Sequence, residues 1–176
     1  MKKKLSMLFC ICLLISSCGQ SNNFKKLKKD IESFGVLQDS ENTNTQYGAE
    51  KFTLSITTNS EDIIFKSEIY DSGKMSTLYD YKFTYTVRIN WDGKEKDGGN
   101  AGIIYSIYKN INGSSFSDTV WLNSTLVNDY INNGSVSVPV GPKLDSEEAE
   151  QAEKNIIRTL SSANSLFIEK FGYGLK

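Results

Sequence analysis

The chain has 176 residues, enough for one domain of ordinary size, and its 39% hydrophobic content with only two prolines fits a folded protein rather than a disordered one. Its formal charge of −1 leaves no broad basic field, which argues against nucleic acid as a partner. There is no histidine, and the three cysteines all lie in the first eighteen residues, so His-dependent triads, zinc sites built on His or Cys and a disulfide framework are excluded from the rest of the chain.

Met1 to Ser17 begins with Lys2-Lys3-Lys4 and continues as an apolar run from Leu5 to Ile15. That run is too short for a permanent membrane-spanning helix and has the build of an export signal. It ends in Ile15-Ser16-Ser17-Cys18. These residues resemble the lipobox of bacterial lipoproteins, in which a branched apolar residue and two small residues precede the lipidated cysteine. The resemblance covers the first eighteen residues only. It implies cleavage between Ser17 and Cys18, diacylglycerol on Cys18, and often acylation of the new amino terminus. Two or three acyl chains make a stable anchor, where one would be marginal. The mature chain would have 159 residues, a net charge of −4 and no free thiol, and would be held outside the cytoplasm. Which membrane holds it, the cytoplasmic one or an outer one, is left open.

Residues 18 to 23 make a short polar tether, and residues 24 to 176 form one domain. Phe24, Leu27, Ile31 and Phe34 fall on one helical face, with Gly35 as a stop and Lys25, Lys26, Lys28 and Lys29 on the other sides. Leu37 to Glu50 is rich in Asn, Thr, Gln and Ser and reads as a loop. Phe52 to Thr57 and Ile63 to Tyr70 read as strands, followed by a turn at Asp71-Ser72-Gly73-Lys74.

Tyr81 to Trp91 alternates without an error: every odd position is apolar or aromatic and every even one polar. Only a strand with one buried face gives that period. A glycine-rich loop follows from Asp92 to Asn100, then strands at Gly102 to Tyr108 and Phe116 to Leu122 around the turn Asn112-Gly113. Ser124 to Asn132 places Leu126, Val127, Tyr130 and Ile131 on one helical face, and helix is preferred although its β-branched content also suits a strand. Ser135 to Val140 alternates and meets Pro139 and Pro142, the mark of an edge strand. Asp145, with Glu148 three residues on, opens a last helix at Ser146. Ala149, Ala152, Ile156, Leu160, Ala163 and Phe167 form its apolar face, and Gly172 ends it.

Closely spaced strands with no helix between them argue against βαβ units. The expected class is α+β: an antiparallel meander of about five or six strands with the N-terminal and C-terminal helices packed on one face.

No catalytic constellation stands out. Ser106-Ile107-Tyr108-Lys109 spells the Ser-x-x-Lys of serine β-lactamases, but it lies at a strand end and lacks its companion motifs. The Asp92–Asn100 loop offers oxygen ligands, yet Lys94 and Lys96 oppose a cation and the spacing is not that of an EF-hand. Asp71, Asp80 and Asp92 default to turn residues. No cofactor or metal is expected.

The open face of the sheet would carry Lys82, Thr84, Thr86, Arg88 and Asn90. Of the aromatics Tyr70, Tyr79, Tyr81, Tyr85, Tyr105, Tyr108, Trp91 and Trp121, those on that face would be binding anchors. Lys82, Thr84, Arg88, Trp91 and Trp121 are the candidate partner-binding residues. The expectation is a non-enzymatic, lipid-anchored envelope protein that binds a protein partner, one concrete form being an immunity protein against an exported toxin. That form is similar in general build only to lipid-anchored immunity proteins of bacterial secretion systems. A small-ligand binder and a carboxylate or metal enzyme, tested at Asp92 and Asp97, are the alternatives.

Overall fold

The computed structural model describes residues 24–45, 48–60, 62–71, 79–90, 103–111, 114–122, 126–142 and 144–176. It gives an α+β arrangement, an antiparallel sheet with helices at both ends. Cys18, Trp91, the 92–100 loop and the turns at 72–74 and 112–113 lie outside the described residues.

Helix α1 runs over residues 24–34. It buries Phe24, Leu27 and Ile31, three of the four residues that set its helical face; Phe34 stays 55% exposed and instead lays its ring edge-on to Phe171. Gly35 ends the helix at φ 100°, a left-handed angle that favours glycine, and its N–H bonds Ile31 O.

Three strands carry the apolar layer: β1 (Leu37–Thr45), β2 (Gly48–Thr58) and β3 (Asp62–Asp71). The register pairs Ile56 with both Leu37 and Phe65, and Phe52 with Ile69. Phe52, Leu54 and Ile56 on β2, and Ile63, Phe65 and Ile69 on β3, are all buried on that one face.

The segment expected as a loop, Leu37 to Glu50, is instead β1 and the start of β2. The alternation that marks a strand is there, but its inward positions are polar. Leu37 is buried, whereas Asp39 accepts a hydrogen bond from Ser162 and Glu41 pairs with Arg158. Partners on a distant helix stand where a hydrophobic face would have been visible. These inward-pointing charges also suit an edge strand, whose outer backbone edge invites unwanted pairing.

Backbone pairing continues antiparallel in chain order through β4 (Tyr79–Asn90), β5 (Ile103–Ile111) and β6 (Ser114–Leu122). The register sets Phe83 opposite Ile69 and Val87 opposite Phe65, so the odd positions of β4 continue the core-face rows.

Helix α2 (Leu126–Asn133) buries Leu126, Tyr130 and Ile131 and ends at Gly134. The Ser135 to Val140 segment is extended but is not a strand. Val136 and Val138 are buried, and the Val138 N–H is bonded at 2.7 Å by the Glu153 carboxylate. A helix side chain takes the place of a neighbouring strand, so alternation there reports burial without a ladder.

Helix α3 (Ser146–Phe171) covers the apolar face. Asp145 caps it in a reciprocal box, accepting from Glu148 N at 2.9 Å while Glu148 Oε2 accepts from Asp145 N at 3.2 Å. Ala149, Ala152, Ile156, Leu160, Ala163 and Phe167 are all buried. Phe167 meets Phe65 edge to face at 5.9 Å between centroids. Beyond Gly172 the chain folds back. Leu175 is buried with its N–H on Asn164 Oδ1, and Tyr173 donates to the Asp30 carboxylate of α1 while the Lys26 ammonium lies over its ring.

Candidate functional site

Burial divides β2 and β3 by parity. Lys51 on β2 and Lys66 and Tyr70 on β3 are exposed, while their neighbours Phe52, Phe65 and Ile69 are buried. In a strand successive residues alternate between faces, so the pairing register extends this division across the sheet. Each row below consists of residues opposite one another on adjacent strands.

One row runs Asn42, Lys51, Tyr70, Lys82, Tyr108, Ser117. The next runs Ser40, Thr53, Glu68, Thr84, Ser106, Thr119. A third runs Gln38, Ser55, Lys66, Thr86, Ile104, Trp121. Arg88 is opposite Ile64 in a fourth. Lys82, Thr84, Arg88 and Trp121 therefore hold register positions on one face, the face away from α3. Trp91 and Cys18 lie outside the described residues.

The aromatics divide by the same rule. Tyr79, Tyr81, Tyr85 and Tyr105 occupy core-face positions, and Tyr70, Tyr108 and Trp121 occupy the opposite face. Lys51 and Lys66 were missed as candidates because neither stands out locally. Only the pairing of β2 with β3 and β3 with β4 brings them beside Tyr70, Lys82 and Thr86.

Lys66 and Glu68, two apart on β3, form an ion pair of 3.2 Å. A groove of about 520 Å³ lies along them, lined also by Gln38, Asp39, Ser40, Thr53, Leu54 and Ser55. Its lining has no aromatic ring. Its hydroxyl, amide and carboxylate groups can exchange hydrogen bonds with a polar group.

Ser106 and Lys109 are three apart on β5, so the register turns them to opposite faces: Ser106 pairs with Thr84, and Lys109 with Tyr81. Asp71 and Asp80 also fall on opposite faces. Among the described residues no three His, Cys, Asp or Glu side chains gather to hold a metal. No described helix is long and apolar enough to cross a membrane.

On the covered face, Arg158 of α3 is the main polar feature. It reaches Glu50 at 2.5 Å and Glu41 at 2.8 Å, and its guanidinium lies 4.6 Å from the centre of the Phe52 ring. Burial pulls its pKa down, but hydrogen bonds and charge from Glu50 and Glu41 outweigh this and leave it raised. The arrangement is a clamp between helix and sheet edge.

No family model matches the chain, and neither a curated protein nor a solved structure matches it.

Proposed function

We propose that the chain is a lipid-anchored, extracytoplasmic, non-enzymatic binding protein of the bacterial envelope. In this reading residues 1–17 are a cleaved signal and Cys18 carries the lipid. The domain is a meander of about five or six strands with both terminal helices on one face. One concrete form is an immunity protein that neutralises an exported toxin.

The observation that carries the reading is the one-sided covering of the sheet. Helix α3 lies over Phe52, Phe65 and their neighbours, while Lys51, Lys66 and Tyr70 stay exposed on the other side. Tyr70, Tyr108, Trp121 and Arg88 hold positions on that other face, and tyrosine, tryptophan and arginine are the residue types enriched in protein contacts. The register positions of Ser106 and Lys109 on opposite faces support the non-enzymatic reading.

The test is a crosslinking pull-down on intact cells with the wild type and a Cys18→Ala control. A stoichiometric protein captured only by the membrane-held form is the expected result. Recovery of the Cys18→Ala protein in the membrane fraction at wild-type level would remove the lipid anchor from the proposal.

A second reading, a small-ligand binder, is favoured by the groove beside Lys66 and Glu68. Co-purification of a lipid or glycan without any protein partner would put it first.

A further inference from the structure

We infer that the face away from α3 docks an acidic protein surface, centred on the cross-strand row Lys51, Tyr70, Lys82, Tyr108. The inference rests on the binding reading above and names the class of partner.

The row is produced by register alone. Lys51 is opposite Tyr70, Tyr70 opposite Lys82, and Lys82 opposite Tyr108, on four successive strands. Cation and aromatic alternate at each step of about 4.8 Å, the spacing of neighbouring strands. Tyrosine contributes contact area at small entropic cost, and lysine supplies the charge that a carboxylate-rich surface complements.

Charge is divided between the two faces. The open face holds the positions of Lys51, Lys66, Lys82 and Arg88 against Glu68 and Asp80. Asp62 shares their parity but is buried in the β2–β3 turn, bonded by Asn59. The covered face holds Asp39, Glu41, Glu50, Asp71 and Asp118 against Lys109. The uncovered face is thus the cationic side of a chain whose formal charge is −1. A cationic face of this kind attracts an acidic partner and repels a basic one.

Area argues for a protein. Six strands at about 4.8 Å apart and nine residues at about 3.3 Å each give a face of roughly 800 Å². That equals the roughly 800 Å² each partner gives to a standard stable interface. The groove in the described part of this face has no aromatic ring in its lining, so it lacks the anchor a small apolar ligand would use.

The experiment uses the full lipidated chain in cells, with a photoreactive benzophenone side chain in place of Thr84. A second version carries it in place of Ser165, on the exposed side of α3. The expected result is an adduct from position 84 and none from 165, with the crosslinked peptide rich in Asp and Glu. Lys51→Glu with Lys82→Glu should cut the adduct roughly tenfold or more, and Lys51→Gln with Lys82→Gln by less. Thermal melts of both variants show whether they are folded. An adduct from 165 but not 84 would place the contact elsewhere and overturn the inference while leaving a binding protein. So would a glycan adduct, or a protein adduct indifferent to charge reversal in folded variants. No adduct from either position, with no partner in the Cys18-dependent pull-down, would sink the binding reading itself.

Discussion

Ser67 of β3 and Thr159 of α3 share a hydrogen bond of 2.7 Å in the middle of the apolar layer, and neither is exposed at all. Thr159 also bonds the Asn155 carbonyl at 2.8 Å, which takes its single hydroxyl proton. Ser67 is therefore the donor of the pair. Removing either partner has unequal consequences. Thr159→Val strands the Ser67 O–H in an apolar layer and should cost about 1–3 kcal/mol; Ser67→Ala loses one bond but leaves the Thr159 donor satisfied, at about 1 kcal/mol. Urea unfolding of both and of the double variant checks this. The double variant should be more stable than the sum of the two single losses implies.

Arg158 ties α3 to Glu41 of β1 and Glu50 of β2. Arg158→Met keeps a flexible stem over Phe52 but removes the fork, and should destabilise by about 1–2 kcal/mol. Arg158→Lys should fall between, since an ammonium cannot serve both carboxylates in one plane. The wild type should lose part of this margin in high salt, and Arg158→Met should not. A shared salt response would assign the clamp no electrostatic role.

Two glycines near the C-terminus behave differently under the same change. Gly172 caps α3 at φ 77° with open space where a Cβ would go. Gly172→Ala should cost about 1 kcal/mol from backbone strain alone. A Cβ on Gly174 would run into the Asn164 amide, which holds the Leu175 N–H. Gly174→Ala should therefore cost more and loosen the returning tail, read as faster amide exchange at Leu175.

Tyr173 hydrogen-bonds Asp30. Burial, then the hydrogen bond and negative charge of Asp30, push its phenol well above the usual range. A folded pKa above the unfolded one means stability fully present below about pH 10, the ordinary tyrosine value, and lost as pH climbs toward the folded pKa. Wild type should lose melting temperature above that pH more steeply than Tyr173→Phe. Parallel curves would show that other groups govern the alkaline limb.

The sequence made some of this legible and hid the rest for definite reasons. The buried face of α3 could be read because Ala149 to Phe167 repeats at helical spacing and the caps Asp145 and Gly172 mark its ends. Strand β1 was hidden because Asp39 and Glu41 point inward to Ser162 and Arg158, more than a hundred residues away. The 135–140 segment misled because burial of Val136 and Val138 gives the same alternation as a sheet edge. The Lys51–Tyr70–Lys82–Tyr108 row is not a motif in any window. It exists only once strands pair, and a one-residue slip would dissolve it.

The strands pair with their neighbours in chain order, yet the helix that covers β1, β2 and β3 comes last. The Ser67–Thr159 contact spans 92 residues. During synthesis, Phe52, Phe65 and Ile69 therefore lack the cover of α3 until the last part of the chain emerges. The emerging chain must spend that interval as a greasy, half-finished sheet, dependent on chaperones or on speed. A truncation inside α3 should accordingly give aggregated protein rather than a smaller folded domain.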